Sequence, residues 1–353
     1  MERYIGIDVH LESCTFAVMG QSGRRLQERV VPTDAKAVRQ FVTAVGGQRH
    51  VCLEEGELSD WIYEILEPAV QEVVVVQPEK REGVKSDAHD AWALADSLRV
   101  RPASVRQVFK APGKLTGLRE AVHAQLTATQ DVARAKNRLQ AIYRRRGIRP
   151  RAVEIYDKER RQVWLEKLPQ HPRRLTRMFS EQLDALKVTA EEANTWLREE
   201  AARCAAVRLI ATAPGIKHVR ASQIVARVIT PHRFRTKRQF WNYCGLGVVN
   251  RSSSDWTWKN GRRVRRHNKV LPRGLNRNRN PLLKAAFNGA ARTVTRQMLA
   301  HPLARNYQRL VDAGADPNNA RLTVARQLAA AVLAMWKKQE VYDPTKHMTD
   351  RTE

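Results

Sequence analysis

Four acidic residues in the N-terminal part of the chain stand where carboxylates could hold a divalent cation. Asp8 follows the apolar run 5–7 and Glu54 follows the run 51–53, so each ends a strand pattern. Asp87 and Asp90 are three residues apart and share a face near a helix N-terminus, where the helix dipole favours negative charge. Four such carboxylates repel one another unless a cation is present, and Mg²⁺ prefers oxygen ligands. Two ions about 3.5 to 4 Å apart form the usual clamp for in-line phosphodiester chemistry.

Simpler structural roles are open to the same acids. Asp8 could be an ordinary turn residue at the end of its strand, and Glu54 could cap the segment that follows it. Ser86 or Asp87 is a good helix N-cap. Capping needs one carboxylate, however, whereas this helix start offers two, which favours the metal site.

The elements that must position these acids follow one another in an informative order. Apolar alternation predicts strands over 4–9, 14–19 and 26–31, a helix over 34–45, and a short strand ending at Glu54. A helix through 61–66, a strand over 70–76 and the helix that starts near Asp87 complete the series. This βββαβαβα order predicts a mixed sheet covered by helices, the RNase H-like arrangement.

The middle of the chain is predicted to form an elongated helical arm. Apolar residues recur at helical spacing from 114 to 143, and further helical stretches cover 152–168 and 173–211. The basic turn 144–147 between the first two could be a solvated loop or a nucleic-acid contact. Residues 205–340 are predicted to form a third, mostly helical unit.

One segment of this third unit is unusually basic. From 256 to 311 there are fourteen Lys or Arg residues and no Asp or Glu, although a solvated face normally mixes both signs. Its first part interleaves aromatic rings with cations, which suits base stacking and phosphate neutralisation. The residues predicted to bind nucleic acid are Trp256, Trp258, Lys259, Arg262, Arg263, Arg265, Arg266 and Lys269.

Two further features of the third unit could take part in chemistry. The turn 214–217 could direct backbone N–H groups at a phosphate or could be an ordinary turn between helices. The serines at 252–254 could be a flexible loop or a source of a nucleophile, since a serine hydroxyl needs a base, a metal or nearby cations to react at neutral pH.

The overall composition narrows the class of protein. Lys and Arg number 63 against 36 Asp and Glu, giving a net charge of +27, so a polyanion is the expected partner. The four cysteines are far apart and exclude a disulfide scaffold or a Cys-rich zinc module. No apolar run approaches the roughly 18 residues of a membrane helix. We therefore expect a cytoplasmic protein without a membrane partner.

These motifs resemble the DEDD transposases of the insertion sequence one-ten family from Tyr4 to about Trp336. The matching segments are Gly6-Ile7-Asp8, Cys52-Leu53-Glu54, Gln77-Pro78, 85–91, 213–216, Arg233-Phe234, Phe240, Tyr243 and Gly245-Leu246. The resemblance implies a RuvC-like domain whose acidic tetrad, Asp8, Glu54, Asp87 and Asp90, binds Mg²⁺, with Mn²⁺ as the alternative. It also implies a nucleophilic serine, which the register from Gly245 places at Ser253, with Ser252 and Ser254 as alternatives because Ser254 replaces the usual glycine.

The resemblance further implies partners, an architecture and a location, which is a bacterial cytoplasm with the protein acting at the nucleoid. The expected partners are donor and target DNA, a structured guide RNA, and other copies of the chain in a dimer or tetramer. The expected fold is α/β plus α: a RuvC-like domain over 1–105, a coiled-coil-like arm over 106–204, a serine transposase domain with a helix-hairpin-helix-like turn over 205–342, and a tail over 343–353.

Two other functions stay open at this point. A hydrolytic RuvC-like nuclease or Holliday-junction resolvase would explain the acids equally well but would leave the basic third unit unexplained. An inactive architectural nucleic-acid-binding protein would require four well-placed carboxylates to be a coincidence. Metal-dependent activity separates the architectural protein from the two enzymes, and covalent attachment to DNA separates the transposase from the nuclease.

Overall fold

The chain folds into two units, Met1–Lys114 and Leu115–Glu353. The computed structural model describes residues 1–78, 86–100, 106–250, 256–265 and 272–347. The strands of the first unit are β1 (Glu2–Val9), β2 (Ser13–Gly20), β3 (Arg25–Pro32), β4 (Gln48–Glu54), β5 (Glu72–Val76) and β6 (Gln107–Val108). Its helices are α1 (Ala35–Ala44), α2 (Ser59–Leu66) and α3 (Asp87–Val100).

The strands of the first unit form one mixed sheet in the order β3-β2-β1-β4-β5-β6. β1 pairs antiparallel with β2 across the short turn 10–12, and it pairs parallel with β4 on its other side. The parallel pairs need crossovers, which α1 and α2 supply. The predicted mixed sheet and its order of strands and helices are confirmed.

The sheet has a different helix layer on each face because side chains alternate along a strand. Ile5 and Ile7 of β1 are fully buried on the face covered by α1 and α2. Tyr4 of β1 and Cys52 of β4 belong to the core on the opposite face, where α3 packs. α1 begins where the carboxylate of Asp34 accepts two backbone N–H groups, a cap that typically contributes about 1 kcal/mol.

The second unit is mainly helical, as predicted. Its helices are α4 (Thr116–Arg144), α5 (Ala152–Tyr156), α6 (Arg161–Glu166), α7 (Gln170–Arg203), α8 (Ala205–Ile210), α9 (His218–Val228), α10 (Lys237–Tyr243), α11 (Pro281–Gln297), α12 (Pro302–Asp312) and α13 (Pro317–Lys338). Its short strands are β7 (Val248–Asn250), β8 (Trp256–Lys259), β9 (Arg262–Arg265) and β10 (Pro272–Leu275).

The long helices α4 and α7 form an antiparallel pair. Gly117 at the start of α4 lies against Glu200 near the end of α7, whereas Leu139 and Tyr143 at the other end of α4 share a core with Leu183. This pair provides the elongated arm that the helical spacing predicted. The domain boundaries at 105 and 204 stay a prediction.

Two predicted helical stretches are wrong in their continuity. The stretch 152–168 is divided into α5 and α6 because the Asp157 carboxylate accepts the N–H groups of Glu159 and Arg160, a local turn that competes with the helix. The stretch 173–211 is broken at Cys204, whose backbone is extended. There the guanidinium of Arg208 donates to the carbonyl of Ala202 at the end of α7.

The C-terminal helices pack closely around a small-residue contact. Gly215 has a φ of +71°, and a Cβ there would lie 2.5 Å from the carbonyl oxygen of Ala290 on α11. Phe240 and Phe287 meet edge to face nearby, with ring centroids 5.8 Å apart. Within the part of the chain that the structure describes, no helix is both long and apolar enough to span a bilayer.

Candidate functional site

Asp8 and Glu54 project from the same face of the sheet, at the ends of neighbouring strands. Asp8 is two residues after Gly6, and Glu54 is two residues after Cys52, so both follow residues on the face that α3 covers. β1 and β4 run parallel with Ile7 opposite Leu53, which puts the two acids one step further along adjacent strands. The alternation of side chains along each strand and the register between β1 and β4 together position Asp8 and Glu54.

Helix α3 brings the other two acids to the same end of the sheet. Asp87 is its first residue and Asp90 lies in its first turn. The helix approaches β1 unusually closely, since a Cβ on Gly6 would lie only 1.9 Å from the carbonyl oxygen of Ala91. Trp92 fixes the helix laterally, because its indole N–H donates to Glu28 of β3 at 2.6 Å.

The structure brings Asp8 and Asp87 together around a residue that was not predicted, His10. The His10 Nε2 atom lies 3.1 Å from Asp8 Oδ2 and 3.5 Å from Asp87 Oδ1. Among the described residues, these three offer ligand atoms that all lie within 4.8 Å of one another. Glu54 and Asp90 lie at the same end of the sheet but outside this tight group.

The sequence carries a local signal for His10. The segment Asp8-Val9-His10 spaces a carboxylate and an imidazole two residues apart at a strand end. Strand alternation alone would put both side chains on one face. The approach of His10 to Asp87 depends on the turn after β1 and on where α3 docks, which no local pattern contains.

The electrostatics around Asp8 favour the binding of a cation. Burial raises the pKa of the Asp8 carboxyl above its ordinary value of 3.8, and the neighbouring charges of Asp87 and Asp90 raise it further, while His10 lowers it. Asp8 is 23% exposed and Asp87 is 57% exposed, so ligands can still enter from solvent. A cation here would relieve the repulsion among the carboxylates.

The donor set fits a hard divalent cation. Carboxylate oxygens suit Mg²⁺ and Mn²⁺, and an imidazole nitrogen is tolerated better by Mn²⁺ than by Mg²⁺. The partial exposure leaves room for water or phosphate oxygens in the remaining positions. The residues that could hold the ion are Asp8, Asp87 and His10, with Glu54 and Asp90 at the same end of the sheet.

The predicted nucleophile lies outside the described residues, as do Ser252 and Ser254. Arg266 and Lys269 of the predicted nucleic-acid-binding set lie outside them too. The backbones of Trp256 and Arg265 are described and pair with each other across β8 and β9. The remaining four residues of the set, Trp258, Lys259, Arg262 and Arg263, have exposed side chains.

These four residues belong to a two-stranded hairpin, a local difference from the mostly helical prediction. Asn260 and Gly261 both have positive φ, at 52° and 70°, as a two-residue type I′ turn requires. Trp258 stands opposite Arg263, and Lys259 stands opposite Arg262. The Asn-Gly pair between residues of high strand propensity is the sequence signal that would have predicted this hairpin.

The turn 214–217 has a structural role in its surroundings. Gly215 packs against the backbone of α11, and its carbonyl accepts a hydrogen bond from Arg220 at 2.5 Å. Arg220 also contacts Thr293 Oγ1 at 3.2 Å. These contacts account for the glycine by packing between helices, and phosphate binding at the turn stays a prediction.

Two family models match the chain. One, DEDD_Tnp_IS110, described as a transposase, matches residues 5–145. The other, described as the transposase IS116/IS110/IS902 family, matches residues 207–307. The first match contains all four acids and His10, and the second contains the three serines and the hairpin. A comparison with curated proteins gave no match.

Proposed function

The chain belongs to the IS110 family of transposases, and on that premise we propose that it cuts and rejoins insertion-sequence DNA through a serine nucleophile and a divalent cation. The observation that carries this proposal is the meeting of Asp8 and Asp87 at the sheet end where Glu54 and Asp90 also lie. Two carboxylates, one from a strand and one from a helix, repel one another, so packing alone gives no benefit from bringing them together.

The proposed reaction is a phosphoryl transfer between two alcohols. The Oγ atom of Ser253 forms a bond to phosphorus while the bond to the leaving deoxyribose oxygen breaks. The serine proton is lost to solvent or base, and the leaving oxygen takes up a proton. The reverse attack by a hydroxyl of another strand frees the serine and joins new DNA. Asp8, Glu54, Asp87 and Asp90 would hold a Mg²⁺ ion, which would stabilise negative charge on the phosphoryl and leaving oxygens.

The charge of the chain supports two further proposals about partners. A net charge of +27 exceeds what a small protein needs for solubility and suits a large polyanion. We propose that a structured guide RNA occupies part of this surface and selects the DNA by base pairing. We also propose an even-numbered assembly, a dimer or tetramer, because recombination requires two duplexes to be held together.

The exposed hairpin is the part of the described surface best suited to nucleic acid. Its Trp258 is 73% exposed, although tryptophan is usually largely buried. Lys259 and Arg262 stand directly opposite one another, and like charges in that position destabilise a strand pair. A phosphate between them would remove the repulsion. A two-stranded ribbon of this kind can also enter the DNA major groove.

The hairpin proposal is tested by the salt dependence of binding. Arg262→Ala should reduce the slope of log affinity against log salt by about 1, as expected for one lost phosphate contact. Trp258→Ala should weaken binding by about 1 to 3 kcal/mol with little change in slope if the ring stacks on a base. Arg134→Ala is the matched control, because Arg134 is exposed and pairs with Asp131 on the arm. Equal effects of all three variants would contradict the proposal.

The covalent step is tested by trapping the protein on DNA. Full-length protein, guide RNA, end-labelled target DNA and Mg²⁺ are incubated and then resolved on a denaturing gel. A labelled protein band that is absent with Ser253→Ala and with Asp8→Ala supports the proposal. Ser252→Ala and Ser254→Ala are the matched controls and show which of the three hydroxyls reacts. Cleavage without a protein-linked band, unchanged by all three serine variants, would instead indicate a hydrolytic nuclease.

A further inference from the structure

His10 is held over the acidic site by its own backbone. Its N–H donates to the carbonyl of Ser13 at 3.0 Å, closing the turn between β1 and β2. Its carbonyl accepts a hydrogen bond from the Thr33 hydroxyl at 2.8 Å. The backbone of His10 is therefore fixed from both sides, and its imidazole starts from a defined point beside Asp8.

The distances around the imidazole match the spacing of ligands in a metal coordination sphere. Mg²⁺ binds ligands at about 2.0 to 2.1 Å in octahedral geometry, so neighbouring ligand atoms lie about 3 Å apart. The His10 Nε2 atom lies 3.1 Å from Asp8 Oδ2 and 3.5 Å from Asp87 Oδ1. Only a small closure is needed for the three atoms to share one ion.

We propose that His10 is a direct ligand of the divalent cation bound by Asp8 and Asp87, which makes this site more favourable to Mn²⁺ than an all-oxygen site. This inference rests on the proposed function, because it assumes the metal at the acidic tetrad. Imidazole nitrogen is a better donor to transition metals than to Mg²⁺, so one His among carboxylates shifts selectivity toward Mn²⁺. His10 is 49% exposed at its side chain, which leaves the outer side of the ion open to phosphate oxygens.

A different role for His10 would give the same short contacts. The ring could hydrogen-bond to the Asp8 carboxylate and orient it, without touching the ion. Loss of an orienting residue also weakens metal affinity, typically by 10- to 100-fold, so affinity alone does not separate the two roles. The test therefore needs a direct measure of nitrogen bound to the metal.

The test uses the full chain loaded with Mn²⁺ in imidazole-free buffer. Electron spin echo modulation of Mn²⁺ detects a directly bound nitrogen. We expect nitrogen modulation in the wild type, its loss in His10→Ala, and its retention in His89→Ala. His89 is the matched control, since it is exposed on α3 between Asp87 and Asp90. We also expect His10→Ala to weaken Mn²⁺ binding at least about ten-fold and Mg²⁺ binding less.

The remaining outcomes refute either this inference or the function on which it rests. Mn²⁺ that binds the wild type without nitrogen modulation, or modulation that persists in His10→Ala, would overturn the role of His10 and leave the tetrad intact. Absence of Mn²⁺ binding that depends on Asp8, tested with Asp8→Asn, would overturn the metal site itself. Circular dichroism of each variant verifies that the fold is retained.

Discussion

Replacing Gly6 by alanine should damage both the stability of the first unit and its acidic site. An ideal Cβ at Gly6 lies 1.9 Å from the carbonyl oxygen of Ala91 and 2.6 Å from the backbone nitrogen of Ala95. Both atoms belong to the backbone of α3, so no side-chain rotation can relieve the clash. The helix must move as a body or the strand must distort.

The size of the effect follows from this clash. Ordinary van der Waals contact begins at 3.4 Å, so α3 must withdraw by about 1.5 Å, the difference from 1.9 Å. Overpacking of this kind costs about 1 to 3 kcal/mol of unfolding free energy. Asp87 lies about one turn before Ala91 and Asp90 directly before it, so both move with the helix. A misplacement of about 1 Å can cost about 100-fold in rate, so DNA rejoining should fall by that order.

Two measurements on Gly6→Ala test this reasoning. Urea unfolding gives the free-energy change, and the trapping assay gives the rate of the covalent step. Gly20→Ala is the matched control, because a Cβ at Gly20 on the same sheet meets its nearest atoms at 3.7 and 3.8 Å. A Gly6→Ala variant that stays within about 0.5 kcal/mol of the wild type, the usual range for surface changes, and keeps its activity would refute the close approach of α3.

Further predictions follow from Asp8, from Tyr143 and from the cysteines. Burial raises the pKa of Asp8, so its ionised form costs stability once the pH exceeds the ordinary pKa of 3.8. At pH 7, Asp8→Asn should therefore raise the melting temperature of the metal-free protein and abolish the increase that Mg²⁺ causes in the wild type. A lower melting temperature of the metal-free variant would contradict this. The Tyr143 hydroxyl is fully buried and has no hydrogen-bond partner among the described residues, so Tyr143→Phe should stabilise the arm by about 1 kcal/mol in urea unfolding. Burial raises the pKa of Tyr143 to about 12, so wild-type stability should decline above pH 10, where the unfolded tyrosine ionises first, and Tyr143→Phe should decline less. Of the four cysteines only Cys204 is not buried. A thiol reagent should therefore modify one thiol in the native protein and all four in denaturant. Rapid modification of more than one thiol in the native protein would contradict this burial.

The arm shows how far helical spacing alone extends. Apolar periodicity correctly indicated the long helices that became α4 and α7. It did not show the breaks at Asp157 and Cys204, because the sequence does not show whether an aspartate binds nearby N–H groups and forms a turn, or whether a cysteine backbone is extended. The competition between the two is decided by packing of the whole segment.

The basic hairpin has a local sequence signal, the Asn260-Gly261 pair, within a unit predicted to be mostly helical. The charge count predicted a nucleic-acid surface in this segment, while residues 205–340 as a whole were predicted to be mostly helical. The Asn260-Gly261 pair favours a type I′ turn, because both residues adopt positive φ at low cost. Attention to this pair would have predicted the strands, although not which side chains they expose.

The sequence by itself determined the chemistry available to this protein: carboxylates at strand ends, a helix start with two acids, and a strongly basic surface. Strand alternation even determined that Asp8 shares a face with Gly6. Only the tertiary structure decided that His10 meets Asp87 and that α3 lies directly on Gly6. These contacts join residues far apart in the chain. They depend on sheet order and helix docking, which result from burial summed over the whole unit and leave no mark in any local pattern.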